Sequence, residues 1–188
     1  MATTLDHLNR LYGDTDDPWN FIDSPYEQQK FCATKDALTR GHYRAALELG
    51  CGNGALAQHI APLCQSYVGV DAVERPLRAA RNRVPDARFI IGCYPCPLPD
   101  ADFDLIILSE VLYFLTPETI AHLCRDLTAR APRAEIICTT FLGDTELPLQ
   151  GAEALQLFSS GMQDLLRLEH IVDAGQYRID RGTMRQVL

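Results

Sequence analysis

The stretch Glu48-Leu49-Gly50-Cys51-Gly52-Asn53-Gly54 decides the fold, because it joins a short apolar run to the start of a helical one. Ala45–Leu49 reads as a buried strand, and a helix is expected from about Ala55 to Leu63. Glycines at such a junction let the chain turn sharply and let a ligand approach the backbone with no Cβ in the way. Asp71 closes the next apolar run, Ser66–Val70, about twenty residues after the first glycine, where a carboxylate can accept from both hydroxyls of a ribose. Ligands of open α/β sheets bind beyond the carboxyl ends of the strands, and both features sit at such ends.

Outward from the loop the alternation continues. Arg75–Val84 is helical and stops at Pro85; Arg88–Ile91 and Phe103–Leu108 are strands separated by a loop carrying Pro95, Pro97 and Pro99, which cannot sustain a ladder. Thr116-Pro117-Glu118 starts a helix reaching about Arg130, Ala134–Thr139 is a fifth strand, and a last helix spans about Gly151–Leu166. A hairpin of Arg167–Val172 with Gln176–Ile179, turning at Asp173-Ala174-Gly175, is expected after it. Upstream, Ser24-Pro25-Tyr26-Glu27 has Ser at N-cap, Pro at N1 and Glu at N3 to close a capping box; that helix should run to about Arg40 and stop at Gly41. The residues before it read as a polar arm. Continuous apolar strands separated by helices predict an α/β fold, a doubly wound Rossmann-like sheet, mostly parallel, with a C-terminal antiparallel hairpin. Its 188 residues are expected to form a single domain, 1–44 as arm and helix and 45–188 as core.

The hydrophobic fraction is 47% and the charged fraction 22%, a globular composition. Seventeen basic residues against 25 acidic give a formal net charge of −8, which argues against a nucleic-acid partner. The one basic cluster, Arg75, Arg78, Arg81 and Arg83, reads as a solvated helix face. No leader pattern opens the chain and no apolar run approaches the roughly 20 residues of a membrane helix, so a cytoplasmic protein without a membrane partner is expected. Seven cysteines, an odd number set mostly in strands and helices, are expected to be reduced.

Gly50-x-Gly52-x-x-Ala55 also satisfies the looser dinucleotide fingerprint, which leaves a nicotinamide-dependent oxidoreductase as an alternative. Glu48 opposes that alternative: a carboxylate is unfavourable beside a pyrophosphate and compatible with sulfonium and ammonium charges.

Glu48–Gly54, Asp71 and Phe103–Leu115 together resemble the successive motifs of class I S-adenosylmethionine-dependent methyltransferases, over roughly residues 45–140. Asp17-Pro18-Trp19, Ser24-Pro25-Tyr26-Glu27-Gln28 and Glu110-Val111-Leu112-Tyr113 narrow the resemblance to the NodS family of nodulation N-methyltransferases, which act on the free amine of a deacetylated chitin-type oligosaccharide. The resemblance implies S-adenosylmethionine as cofactor, a small-molecule acceptor such as an amino-sugar amine, and in-line attack on the sulfonium methyl. A small-molecule O-methyltransferase and an inert module that kept the cofactor pocket remain alternatives. It further implies cofactor contacts from Glu48, Gly50, Cys51, Gly52, Gly54, Asp71, Ala72, Cys93, Tyr94 and Ser109. Glu110 and Tyr113 would face the acceptor as catalytic residues. An N-terminal arm can close over the cofactor with the aromatic faces of Trp19 and Tyr26 against the sulfonium and Lys30 or a neighbour near the methionine carboxylate; Trp19 can equally be a hydrophobic plug.

Two places depart from the class I pattern. The third strand is commonly followed by an Asp that holds the adenine amino group; Gly92-Cys93-Tyr94 stands there instead, leaving adenine to backbone groups and to packing on Tyr94. The Pro-Gly-Gly turn before the fifth strand is replaced by Ala131-Pro132-Arg133. Cys93-Tyr94-Pro95-Cys96 lacks the further ligands of a zinc site and the helix start of a redox motif, so no metal is expected. The histidines have no spacing that suggests a Ser–His–Asp set.

Overall fold

The computed structural model describes residues 4–185, centred on one seven-stranded sheet in the order β3-β2-β1-β4-β5-β7-β6. β1 (Tyr43–Leu49), β2 (Cys64–Asp71), β3 (Arg88–Ile91), β4 (Leu105–Ser109) and β5 (Glu135–Phe141) run parallel. β7 (Tyr177–Thr183) lies antiparallel between β5 and the edge strand β6 (Glu169–Asp173). Winding proceeds outward from β1 to β3 and resumes on the other side with β4. The carboxyl ends of β1 and β4 therefore flank the switch point where such sheets open a crevice.

The strands are apolar on both faces because helices cover both. In β4, Ile106 and Leu108 face α5 (Pro117–Arg130) and α6 (Gly151–Met162), packing with Leu123, Leu127 and Phe158. Leu105 and Ile107 belong to the opposite core, with Phe31 of α2 (Pro25–Asp36), Leu56 and Ile60 of α3 (Ala55–Ile60), and Leu77 and Ala80 of α4 (Glu74–Arg83). α5 starts where expected: Thr116 Oγ1 accepts from Thr119 N at 3.2 Å and Pro117 occupies the first turn.

Departures from the sequence reading have local causes. α2 ends at Asp36 rather than near Arg40, because the chain beyond it is tied to the sheet. Thr39 N donates to Glu135 Oε1 at 2.9 Å and the Arg40 guanidinium reaches Asp104 Oδ2 at 3.2 Å. α3 ends at Ile60 and tightens into a 3₁₀ turn, Ala61–Leu63, around Pro62, whose nitrogen has no hydrogen to donate. β4 begins at Leu105 rather than Phe103, since Asp104 turns its carboxylate to the backbone N–H groups of Arg44 and Ala45, both at 3.0 Å. The last helix stops at Met162. The polar arm contains an unforeseen helix, α1 (Thr4–Leu11), with Leu5, Leu8 and Leu11 at helical spacing.

The basic cluster is held in local pairs, Arg81 on Glu74 at 2.7 Å and Arg83 on the Asn53 carbonyl. The seven cysteines are free thiols. Among the described residues no helix is long and apolar enough to cross a membrane.

Candidate functional site

A cavity of about 700 Å³ opens at the carboxyl ends of β1, β2 and β4. It is floored by the glycine loop and roofed by the N-terminal arm, which contributes Leu5, Leu8, Leu11, Tyr12, Trp19 and Phe21. Every residue assigned a cofactor or acceptor role from the sequence lines this cavity, apart from Gly54.

The three glycines have three different reasons to be glycine. All take positive φ, at +75°, +51° and +76°, where a side chain is strained. A Cβ on Gly50 would lie 2.7 Å from Val111 Cγ2, and one on Gly54 would lie 3.0 Å from Cα and Cβ of Ala80, so these two permit close packing of the protein on itself. Only Gly52 presents its bare face to the cavity, its nearest neighbours from a virtual Cβ being Tyr12 Oη at 3.4 Å and Phe21 at 4.0 Å. The assignment of Gly54 to ligand contact is thus corrected: it lets α3 and α4 approach.

Asp71 closes β2 and turns back on the loop. Its Oδ2 accepts from Gly52 N at 2.8 Å and its Oδ1 from Val73 N at 3.0 Å. Burial raises its pKa, while the N–H groups of Val73, Gly52 and Ala72 oppose that rise. Each oxygen keeps a second lone pair, so a diol could still be bound. Glu48 departs from its expected role. It is 2% exposed, accepts from Tyr67 Oη at 2.6 Å, and burial pushes its pKa up to about 8. It is therefore mostly uncharged at neutral pH, and its argument against a pyrophosphate loses its force.

On the third-strand side, Cys93 is exposed at the cavity wall and Tyr94 is buried. The Tyr94 hydroxyl donates to Asp126 Oδ2 at 2.8 Å and lies 2.9 Å from His122 Nδ1, which fixes the ring against α5. The side chain in the place of the usual adenine-binding Asp is thus a thiol beside a clamped aromatic ring.

At the far end, β4 terminates at Ser109 and Glu110 takes φ +51°, while its N–H donates to Thr139 O at 2.7 Å. A non-glycine residue held there costs on the order of 1 kcal/mol and is found where surrounding contacts over-determine it. Those contacts come from α2. Glu110 Oε1 pairs with Lys30 Nζ at 2.8 Å, and Lys30 pairs in turn with Glu27 Oε2 at 2.7 Å. Lys30 is 1% exposed, its ammonium 5.3 Å from the centre of the Tyr26 ring. Burial works against the Lys30 charge, but Glu110 and Glu27 outweigh it and its pKa is raised. Burial also raises the pKa of Glu110, against the pull of Lys30, and that of Tyr113 beside it.

This cluster bears on two expectations. Lys30 is already paired with two carboxylates, so one of its three N–H donors is left for a methionine carboxylate. Glu27 does not close the capping box: Ser24 N is taken by Asn20 O at 3.0 Å, and Glu27 turns inward to Lys30. Sequence reasoning missed Glu27 as a site residue, although its i, i+3 spacing from Lys30 was visible. Trp19 is 38% exposed and stacks on Phe21 with centroids 5.4 Å apart, in a chain of rings that includes Tyr12; it is a wall of the roof and not an interior plug. Asp17 holds this turn by accepting from Phe21 N at 2.8 Å and Ile22 N at 3.1 Å.

The donor set suits S-adenosylmethionine in three ways: a bare backbone at Gly52, a carboxylate with spare lone pairs at Asp71, and an apolar roof over both. Asn53, 1% exposed, adds an Nδ2 with no hydrogen-bond partner among the described residues. The described lining contains six carboxyl residues, Glu27, Glu48, Asp71, Glu110, Asp144 and Glu146, and one Lys or Arg, Lys30.

A family model described as Nodulation protein S (NodS) matches residues 3–129. Nodulation protein S of Bradyrhizobium diazoefficiens is 34% identical over 112 residues, 57% of this chain and 53% of that protein. The Sinorhizobium fredii protein of the same name is 31% identical over 104 residues, covering 53% and 48%. The chain spans about half the length of these curated relatives. Among solved structures, N-methyltransferase NodS from Bradyrhizobium japonicum WM9, in complex with S-adenosyl-L-homocysteine, superposes with a TM-score of 0.83 at 21% identity, covering 97% of this chain and 99% of that one. At that identity the likeness is one of fold.

Proposed function

The chain belongs to the NodS family, and on that premise we propose that it methylates a primary amine of a small, amino-sugar-like acceptor with S-adenosylmethionine as donor. The observation that carries the reading is the charge of the cavity wall, where, with the mostly uncharged Glu48 set aside, five carboxyl residues among the described lining stand against one lysine and no arginine. Such a wall attracts an ammonium and disfavours carboxylate and phosphate acceptors.

Bound on the glycine loop, S-adenosylmethionine would supply a methyl group that an amine lone pair takes as the carbon–sulfur bond breaks and its electron pair passes to sulfur. Asp71 would hold the ribose, Gly52 would admit the cofactor backbone closely, and Tyr94 would pack beside the adenine. The apolar roof of Leu8, Trp19 and Phe21 would exclude water. An ammonium has no lone pair, so a proton must leave the acceptor first. Glu110 is suited to accept it: Oε1 is engaged by Lys30, and Oε2 has no partner among the described residues. Tyr113, on the turn that follows, would orient the acceptor.

Incubation with methyl-labelled donor and a panel of amino sugars, deacetylated chitin fragments, phenols and carboxylic acids tests the reading. Label on an amine nitrogen is the expected result. Label only on phenols or acids would overturn the amine assignment.

A further inference from the structure

We propose that Glu27 and Lys30 are positioning residues that set the charge seen by the acceptor, so that the site admits a single ammonium and passes its proton to Glu110. The inference rests on the amine-acceptor reading above and deepens it.

Two carboxylates surround one resident ammonium, at 2.7 and 2.8 Å, which leaves one negative charge without a counter-ion. Lys30 and Glu27 are buried, at 1% and 8% exposed, and Glu110 is the member that opens to the cavity, its side chain 17% exposed. Among the described residues, Glu27 Oε2 makes its ion pair without a hydrogen bond and the buried Tyr26 hydroxyl has no hydrogen-bond partner. Among the described residues the other titratable groups facing the cluster are phenols, Tyr26 from α2, Tyr113 from the turn after β4 and Tyr177 from β7, and none supplies the missing positive charge. An uncompensated charge in such surroundings is costly unless a ligand neutralises it.

An acceptor ammonium entering beside Glu110 Oε2 completes the balance. Once there it lies near the Lys30 ammonium, and a neighbouring like charge lowers its proton affinity. Its proton moves to Glu110 and the nitrogen keeps the lone pair for methyl transfer; the proton leaves to solvent with the product. Glu27 and Lys30 touch neither methyl nor acceptor nitrogen in this scheme. Glu27 sets the excess charge that draws the ammonium in, and Lys30 sets how readily the ammonium lets its proton go.

The test follows kcat and KM against pH for a chitin oligomer bearing one free amine. Glu27→Gln removes the excess charge, so KM for the amine should rise by about tenfold or more below the pKa of the free amine, as loss of one nearby charge implies. The acid limb of kcat should move down by about one pH unit, because the bound ammonium is held less tightly. Lys30→Met removes the like charge and should move that limb up. Opposite displacements are an electrostatic signature that local damage does not produce. Glu27→Asp keeps the charge and should restore both parameters, which covers the case of a Glu27→Gln protein that folds poorly. Calorimetric affinity for S-adenosylhomocysteine should stay within about twofold in both Glu27 variants.

Equal losses at every pH, or limbs that move in the same direction, would overturn the proposal. So would a Glu27→Gln protein that loses affinity for S-adenosylmethionine relative to S-adenosylhomocysteine, since the excess charge would then serve the sulfonium. Amine methylation unaltered in Glu27→Gln would remove this inference alone, whereas a wild-type protein that methylates no amine would remove the functional reading with it.

Discussion

Replacing Gly52 and Gly54 separately should divide folding from binding, because the two positions face different neighbours. At Gly52, φ is +51° and the nearest atom to an added Cβ is Tyr12 Oη at 3.4 Å, an ordinary contact. Gly52→Val therefore carries the conformational cost of a branched residue at positive φ, about 1–2 kcal/mol, with no forced clash at Cβ. Its methyl groups would extend into the cavity where the cofactor backbone is expected, so affinity for S-adenosylhomocysteine should fall by about a hundredfold or more, some 3 kcal/mol. At Gly54, φ is +76° and an added Cβ meets backbone and side-chain atoms of Ala80 at 3.0 Å, contacts that cannot yield without moving α4. Gly54→Ala should add an overpacking cost of about 1–3 kcal/mol to the conformational one and lose more stability than Gly52→Val. Because Gly54 lies off the cavity wall, the folded fraction should bind nearly normally. Urea denaturation gives the stabilities and calorimetry on each folded protein gives the affinities. A folded Gly52→Val protein with native affinity, or a Gly54→Ala protein whose only loss is binding, would refute this division of roles.

Asp71→Ala should weaken S-adenosylhomocysteine binding by about tenfold or more through loss of two charge-assisted hydrogen bonds, and should also release Gly52 N and Val73 N; unchanged affinity on calorimetry would remove the ribose contact. Glu48 makes a prediction about pH. Its folded pKa of about 8 lies above its unfolded value, so the folded state binds more protons between roughly pH 4.5 and 8, and stability falls as pH rises through that window. Glu48→Gln has no proton to lose there, so its denaturation midpoint should decline less between pH 5 and 8 than that of wild type; identical declines would contradict the buried neutral carboxyl.

Signals that are local in sequence were legible before the structure, and signals that depend on distant partners were not. Thr116-Pro117-Glu118 fixed the start of α5 and Arg88–Ile91 matched β3 at both ends, because caps and short apolar runs act over a few residues. The end of α2 is not legible in the sequence because Glu135, 96 residues from Thr39, and Asp104, 64 residues from Arg40, draw those two residues away from the helix. The glycine loop was found from its pattern, but which glycine meets the ligand depends on Val111 and Ala80, which sequence spacing does not reveal. Lys30 reads as a site residue in the sequence, but its pairing with Glu110, 80 residues away, does not. Glu27 looked like half of a capping box because its position after Ser24 satisfies that rule, and only the inward path of its side chain shows the other use. In α1 the leucine spacing is present, but it sits among polar residues that read as an arm.

The most direct measurement locates the transferred methyl group. The protein is incubated with methyl-labelled S-adenosylmethionine and a chitin oligomer bearing one free amine, with the fully acetylated oligomer as comparison, and the product is analysed by NMR and mass spectrometry. One labelled methyl on the amine nitrogen, and none on the acetylated oligomer, is the predicted result. Label on a hydroxyl of either oligomer, or no transfer to any amine while S-adenosylhomocysteine still binds, would contradict the account.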